Sequence, residues 1–371
     1  MAKKVNIAIV GMGFGAEFIP IYQHHPHTNM YAICQRSRSH LDEVGNAFGV
    51  EKRYTSFDEL LKDPEVDAMH INSPIDDHAP MSIAALKAGK HVACTVPVSR
   101  SLDECGVIVE AQKASGKKYM MMETAVYTRE FLYVKEMLAK GELGRLQFVR
   151  AAHHQEMAAG NWPAYWPGMP PMHYATHCVG PCLALADRRA EWVSCLGSGR
   201  IDDKYAAKYG SPFAIETAHI KLKDSGVNAE ITRSLYNTAR EYVESFDAYG
   251  SKRTFESQQL AKDDPVVFTG EDGARVPLPD YAHLLPEAIQ RFTTQGVYDT
   301  GEHAHMSFVQ GAGHGGSHPH LVHEFVMSIV ENREPYPNAV TSANWTCAGI
   351  CAHESALQGG EMVRLPEFTL A

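Results

Sequence analysis

The fold class that this sequence predicts is α/β: an N-terminal doubly wound parallel sheet, then a second α+β domain with a large, open, mostly antiparallel sheet. Three observations predict it. Val5 to Val10 is a β-branched and apolar run followed at once by Gly11, Gly13 and Gly15. Strand-length and helix-length segments then alternate through the first third of the chain. After about residue 124 the texture changes to alternating apolar and polar stretches without long helices between them.

The opening stretch, VNIAIVGMGFGAEFIP, organises the rest. Glycine permits a tight turn and a close backbone approach to a bound group. The helix start that follows offers free N–H groups and a positive dipole end to a diphosphate. The pattern is G-x-G-x-G-A, with Ala16 at the place of the third glycine, where a small residue allows close helix–strand packing. Directly after a strand, this is a dinucleotide site, with Gly11, Gly13, Phe14 and Gly15 against the cofactor.

The remaining elements follow in order. Met30 to Cys34 reads as a second strand and Leu41 to Phe48 as a helix; Ser56 caps a short helix that ends before Pro64. Val66 to Asn72 is a strand, His78 to Lys87 a helix closed by Gly89, and His91 to Thr95 a strand. Leu102 to Ala114 is a helix and Tyr119 to Glu123 a strand. Ligands of such a sheet lie beyond the carboxyl ends of its strands. That places Asn72, Ser73, His78, Thr95, Pro97 and Glu123 in the cofactor site. The first domain spans residues 1–124 and the second 125–371. In the second, Arg129 to Lys140 is a helix, and Gln147 to His153, Trp192 to Ile201, Ile215 to Leu222, Ala229 to Leu235 and Ser245 to Tyr249 are strands. Asp263 to Asp299 reads as a surface excursion. Leu321 to Val330 and Ala343 to Leu357 are helices, the last packing back across both domains.

Composition narrows the function classes. The chain has 371 residues, 44% hydrophobic and 21% charged, enough to fill two cores. A net charge of −10 argues against nucleic acid and anionic membranes as partners. No apolar run is long enough to span a bilayer. Only Met1 to Lys4 precede the first strand, so no signal peptide is expected. Eight cysteines without a C-x-x-C pair read as reduced thiols, which gives a cytoplasmic expectation. Neither the Cys178/Cys182 and Cys347/Cys351 pairs nor the histidines between His303 and His323 read as a metal site.

At AIVGMGFGA, the SPIDDH turn, GKHVACTVPVS and ELGRLQFV the chain resembles the glucose–fructose oxidoreductase and inositol dehydrogenase family over essentially its whole length. That resemblance implies a Rossmann domain, an open sheet carrying the substrate site, and a homodimer or homotetramer. Two departures matter. Ordinary members carry Glu-Lys-Pro after the fifth strand; here the tripeptide is Thr95-Val96-Pro97. They also carry an Asp four residues before a catalytic His; here the pair is His173 and His177. The segment HYATHCVGP and the run Gly313-His314-Gly315-Gly316 are similar instead to the NAD-dependent α-N-acetylgalactosaminidases of the superfamily, which also replace the lysine.

Residue chemistry completes the expectation. Tyr174 and His177 lie three apart, so on one helix they share a face, and both move protons. With the lysine gone, Tyr174 or His177 is the base and His173 orients or assists. The resemblance implies oxidation of a ring hydroxyl at C3, removal of the acidified C2 proton, loss of the aglycone, addition of water and return of the hydride. The net reaction is hydrolysis; the alternative is a sugar or cyclitol dehydrogenase. Trp162, Tyr165 and Trp166 in a Pro-rich loop suit a sugar face. His154 is the substrate candidate at the end of the second domain's first strand, and His314 joins it by the family likeness, with Ser317 as cap of the following helix. After the second strand, Gln35, Arg36, Ser37 and Arg38 stand where an acidic residue usually binds the ribose. The arginines suit NADP; the glycosidase likeness implies NAD.

Overall fold

A computed structural model describes residues 4–157, 166, 168–260, 262–295 and 313–370. The first sheet is built from β1 (Val5–Val10), β2 (Thr28–Cys34), β3 (Lys52–Tyr54), β4 (Ala68–Ile71), β5 (His91–Cys94) and β6 (Tyr119–Met121), in the order β3-β2-β1-β4-β5-β6 with all pairs parallel. Ile7, Ala8, Ile9, Met69 and Val92 are fully buried, as strands covered by helices on both faces require. The order reverses between β1 and β4, which is where a crevice opens at the carboxyl ends. Sequence reading missed β3, a short strand carrying two charged residues, Lys52 and Arg53. The cap expected at Ser56 accepts a backbone N–H at the start of its helix, and Ser37 and Ser101 do the same at two others.

The second sheet has nine strands. They are β7 (Leu146–His154), β8 (Ala190–Ser198), β9 (Ile215–Leu222), β10 (Asn228–Ser234), β11 (Val243–Gly250), β12 (Arg253–Glu256), β13 (Val266–Thr269), β14 (Asp272–Arg275) and β15 (Val363–Arg364). Their order is β14-β13-β12-β11-β7-β10-β9-β8-β15, antiparallel except for β7 with β10. The segment expected to be a surface excursion thus contributes β13 and β14. Their side chains are half-buried or exposed, so no inward apolar alternation marked them. One face of the sheet is apolar through Val149 and Ala151 of β7, Ala229 and Ile231 of β10, and Phe246 and Ala248 of β11. It is covered by the helix Thr176–Ala186.

The helix Ala339–Leu357 ties the two sheets together. Asn344 hydrogen-bonds both backbone groups of Ala190 at the start of β8, and Thr346 meets the backbone of Val98. Trp345 is 2% exposed in the middle of it. Truncating a tryptophan so placed costs about 3–5 kcal/mol. Below it the buried Glu216 of β9 accepts from Met172 N at 2.7 Å and meets His353 Nδ1 at 2.6 Å, holding the turn that leads into the site.

Candidate active site

The crevice at the end of β1 is shaped by what has no side chain. Gly11 has φ 88°, and a Cβ there would lie 2.4 Å from Asn72 O, across the strand reversal. A Cβ on Gly15 would meet the Ile9 side chain at 2.7 Å, while Gly13 faces open space. Such a cradle, at the start of a helix, fits a diphosphate. Around it Gln35 Oε1 accepts from Met12 N at 3.5 Å, and Thr95 Oγ1 donates to Asn72 Oδ1 at 2.6 Å. Arg36 is exposed; Ser37 caps its helix and Arg38 pairs with Asp42 at 2.8 Å.

His78 is a clamp inside this crevice wall. Its Nδ1 lies 2.7 Å from Pro97 O and its Nε2 2.9 Å from Ser73 O, so both ring nitrogens face acceptors. Burial opposes its charge; the neighbouring Cys94 and the two carbonyls overcome that and raise it to about 9. It pins together the two turns that carry Ser73 and Pro97.

The polar centre lies beyond β6. Glu123, fully buried, accepts from His177 Nδ1 at 2.5 Å. Gly180, one turn along the helix, makes this approach possible, because a Cβ there would meet Glu123 Cγ at 3.2 Å. His177 Nε2 lies 3.4 Å from the Tyr174 hydroxyl, the rings 5.4 Å apart and nearly perpendicular. Tyr174 and His177 do not share a helix, as their spacing suggested. Tyr174 ends the 3-10 turn Pro171–Tyr174, and His177 sits in the first turn of Thr176–Ala186. The turn brings the groups together where a single helix would have stacked them. Burial lowers a histidine's pKa, but the carboxylates of Glu123 and then Glu244 reverse this, so His177 is held above its ordinary value.

Three adjacent strands complete the centre from below. In register, His153 of β7 pairs with Arg233 of β10 on one side and Glu244 of β11 on the other, so the three project from the same face. Arg233 is fully buried and donates to Tyr174 O, His153 O, Ser234 O and Gln155 Oε1 at 2.6–3.0 Å. Its guanidinium lies 5.3 Å from the Tyr174 ring centroid, where a cation stabilises negative charge developing on the ring oxygen. Glu244 accepts from the Tyr242 hydroxyl. Burial raises its carboxyl, but His177 and His314 outweigh that and hold it below the usual range. Burial, with Arg233 next, keeps His153 neutral.

His314 enters from the other side, its Nε2 3.7 Å from Glu244 Oε1 and its ring stacked 6.1 Å from that of His177. It has φ 42°, and Gly315 and Gly316 follow at 61° and 82°. A Cβ on Gly316 would strike Thr293 O at 2.5 Å, so the turn needs a glycine there. Phe14 of the glycine loop packs edge-on to the same His314 ring at 5.9 Å. The cofactor crevice and the polar centre are therefore neighbours through one imidazole.

Several expected residues stand elsewhere. Glu123 of the cofactor set turns its carboxylate to His177. His173 joins His353, ring to ring at 5.1 Å, and burial lowers it to about 3. His154 projects from the opposite face to His153 and bonds Ser234 Oγ at 2.8 Å. Trp166 packs edge-on against Tyr174 at 4.7 Å. Trp162 and Tyr165 lie outside the described residues. Ser317, expected to cap, has its buried hydroxyl without a partner among the described residues.

Sequence reasoning overlooked Arg233, Glu244 and Tyr242 and preferred His154 to His153. One signal was present. Along β7, β10 and β11 the inward positions run Val149-Ala151-His153, Ala229-Ile231-Arg233 and Phe246-Ala248 with Glu244 before them. An ionisable group at an inward position, at one end of each strand, marks a buried site.

The oxidoreductase family with an NAD-binding Rossmann fold matches residues 5–123, and the Gfo/Idh/MocA C-terminal domain matches residues 131–256. The chain belongs to the Gfo/Idh/MocA oxidoreductase family. Its first domain is an NAD-binding Rossmann domain. Among curated relatives, an α-N-acetylgalactosaminidase of Shewanella oneidensis is 24% identical, over 99% of this chain and 85% of that protein. A glycosyl hydrolase family 109 protein of Shewanella pealeana is 25% identical, over 98% and 85%. Among solved structures, levoglucosan dehydrogenase in complex with NADH and levoglucosan superposes with a TM-score of 0.78 at 18% identity, covering 98% of this chain and all of that one. An oxidoreductase domain protein of Kribbella flavida gives 0.79 at 18%, with the same coverage. These two show the shared fold. No described helix is long and apolar enough to cross a membrane.

Proposed function

We propose that the protein is an NAD-dependent glycoside hydrolase that works by transient oxidation, elimination, hydration and re-reduction of its sugar. The observation that carries this reading is the Glu123–His177–Tyr174 chain, buried beside the cofactor crevice where the sequence has Thr95-Val96-Pro97 and no lysine. The glycosidase relatives support it.

The chemistry that NAD supplies when bound is reversible hydride acceptance, here at the sugar's C3. Gly11, Gly13 and Gly15 would hold its diphosphate, with Gln35 and Arg36 nearest the ribose. A ketone at C3 makes the C2 proton acidic. Tyr174 is the group we assign to remove it, with Arg233 above its ring stabilising the charge on its oxygen. His177 takes the proton that Tyr174 carries, and Glu123 fixes the imidazole so that Nε2 faces the hydroxyl. Departure of the aglycone relieves the C2 carbanion, and a water then adds where the aglycone left. His314 and Trp166 flank the place where the sugar would sit.

Aryl glycosides in heavy water test this. Released phenol with deuterium at C2 and no net NADH is the expected result; phenol without C2 exchange removes the elimination step. The dehydrogenase fold neighbours favour a second reading, sugar oxidation without cleavage. Stoichiometric NADH from a free sugar, with no glycoside cleaved, selects it. We also infer a homodimer or homotetramer. Leu196 on the outer face of β8 and Met362 next to β15 are 60% and 52% exposed, a patch suited to a second copy. Light scattering in solution decides the assembly.

A further inference from the structure

The geometry points to a divalent transition-metal site in the polar centre, formed by His153, His177 and Glu244, with His314 beside it. Donor atoms of the first three all lie within 4.8 Å of one another. His153 Nε2 is 4.0 Å and His314 Nε2 3.7 Å from the same oxygen, Glu244 Oε1. Donors around a tetrahedral zinc with bonds of about 2.0–2.2 Å stand roughly 3.4 Å apart, so modest side-chain rotation closes the set.

Three independent features favour an ion over a chance cluster. The first is His153, which is completely buried with neither ring nitrogen hydrogen-bonded among the described residues. A buried imidazole left so is costly unless something binds it. The second is the outer ring of contacts. His177 turns Nδ1 to the Glu123 carboxylate and so offers Nε2, and Glu244 is held by the Tyr242 hydroxyl. A carboxylate behind a ligating histidine is how such a ligand is oriented, and the Tyr242 hydroxyl fixes Glu244 through Oε1, the oxygen that faces the histidines. The third is rigidity: His153 and Glu244 are register partners on adjacent strands, so the sheet itself sets their spacing. Two nitrogens and one carboxylate suit Zn²⁺, Co²⁺ or Mn²⁺ better than Ca²⁺ or Mg²⁺. Arg233 is a neighbouring cation, and the carboxylates of Glu123 and Glu244 stand against it.

The ion's role rests on the glycosidase reading; its binding does not. Bound there, it would polarise a sugar oxygen as a Lewis acid in a centre without lysine. His177 would then be a ligand and no longer take the Tyr174 proton, so Tyr174 would meet the C2 proton as a phenolate, its own proton given up to solvent and its charge held by Arg233.

Cobalt titration of the full-length, chelator-treated protein tests the site, because tetrahedral Co²⁺ has intense visible bands whether or not the enzyme turns over. Stoichiometric bands are expected. They should vanish in His153→Gln and Glu244→Gln, weaken in affinity roughly 10–100-fold in Glu123→Gln, and persist in His154→Gln on the opposite face. Circular dichroism checks that each variant is folded, and the wild-type titration stands without them. No stoichiometric bands in the wild type, or bands that survive both His153→Gln and Glu244→Gln, would overturn the site. Cobalt binding with no aglycone release keeps the site and removes the function; C2 exchange in fully chelated protein keeps the function and removes the ion's part in it.

Discussion

The cofactor crevice and the polar centre are built on opposite plans. The crevice is made from backbone: Gly11, Gly15 and the turns after β4 and β5 leave space, and its selectivity comes from what a Cβ would exclude. The centre is made from side chains: Glu123 after β6, Tyr174 in a 3-10 turn, His177 in a helix, and His153, Arg233 and Glu244 across three strands. The crevice draws on residues 11 to 97 of the first domain, and the centre joins residues from 123 to 314. A backbone site tolerates change poorly at one or two glycines and well elsewhere. A side-chain site spreads its dependence over many positions, each coupled to the next.

Single substitutions should separate the two plans. The largest effect is expected from Tyr174→Phe, which keeps the ring and removes the hydroxyl. Aglycone release should fall about 10²–10⁴-fold while NAD affinity, read by fluorescence titration, stays within twofold. An equal loss in both would merge the two regions.

Gly11→Ala should show the reverse pattern. Its Cβ would sit 2.4 Å from Asn72 O at a positive φ, a strain of about 1–3 kcal/mol that weakens NAD roughly 10–100-fold. The circular dichroism spectrum should be unchanged. Unaltered NAD affinity would show that the cradle is not where the diphosphate lies.

A smaller effect is expected from Glu123→Gln, which keeps the hydrogen bond to His177 and removes the charge. kcat should drop about tenfold with KM and NAD affinity nearly constant. A change confined to NAD affinity would return Glu123 to the cofactor set.

The smallest effect concerns stability. Glu17, in the turn after the glycine loop, is 2% exposed, and burial raises its carboxyl to about 8. The folded protein therefore holds a proton that the unfolded chain releases above its ordinary carboxyl pKa of about 4.5. Stability from this group is complete below that value and is lost as pH rises towards 8. Glu17→Gln removes the dependence, so the variant should match the wild type near pH 5 and exceed it by about 1–3 kcal/mol near pH 8.5. Parallel thermal melts at the two pH values check it.

Much of the first region was legible before any coordinates. The strand ending at Val10, the glycines after it and the Ser56 cap are decided by nearest neighbours in the chain, so steric rules applied to short windows find them. The second region was legible in part. Tyr174, His177 and His314 were singled out, but the helix meant to unite the first two is broken at Ala175. His153 and His154 are adjacent in the chain, and choosing between them needed the side of the sheet that is covered. Glu244 and Arg233 carried a readable mark, a charge at an inward strand position, but their partners depended on register.

By itself, then, the amino-acid order determined the glycine cradle, the strand and helix alternation, and which segments hold proton-bearing groups, because each follows from the dihedral limits and burial pattern of a few consecutive residues. Only the tertiary structure decided that β10, β7 and β11 lie side by side with Arg233, His153 and Glu244 in one row, and that this row faces Glu123 and His177. Strand order and register are properties of non-local pairing: a slip by one residue would send all three side chains to the other face, and no local window records which alignment packs best.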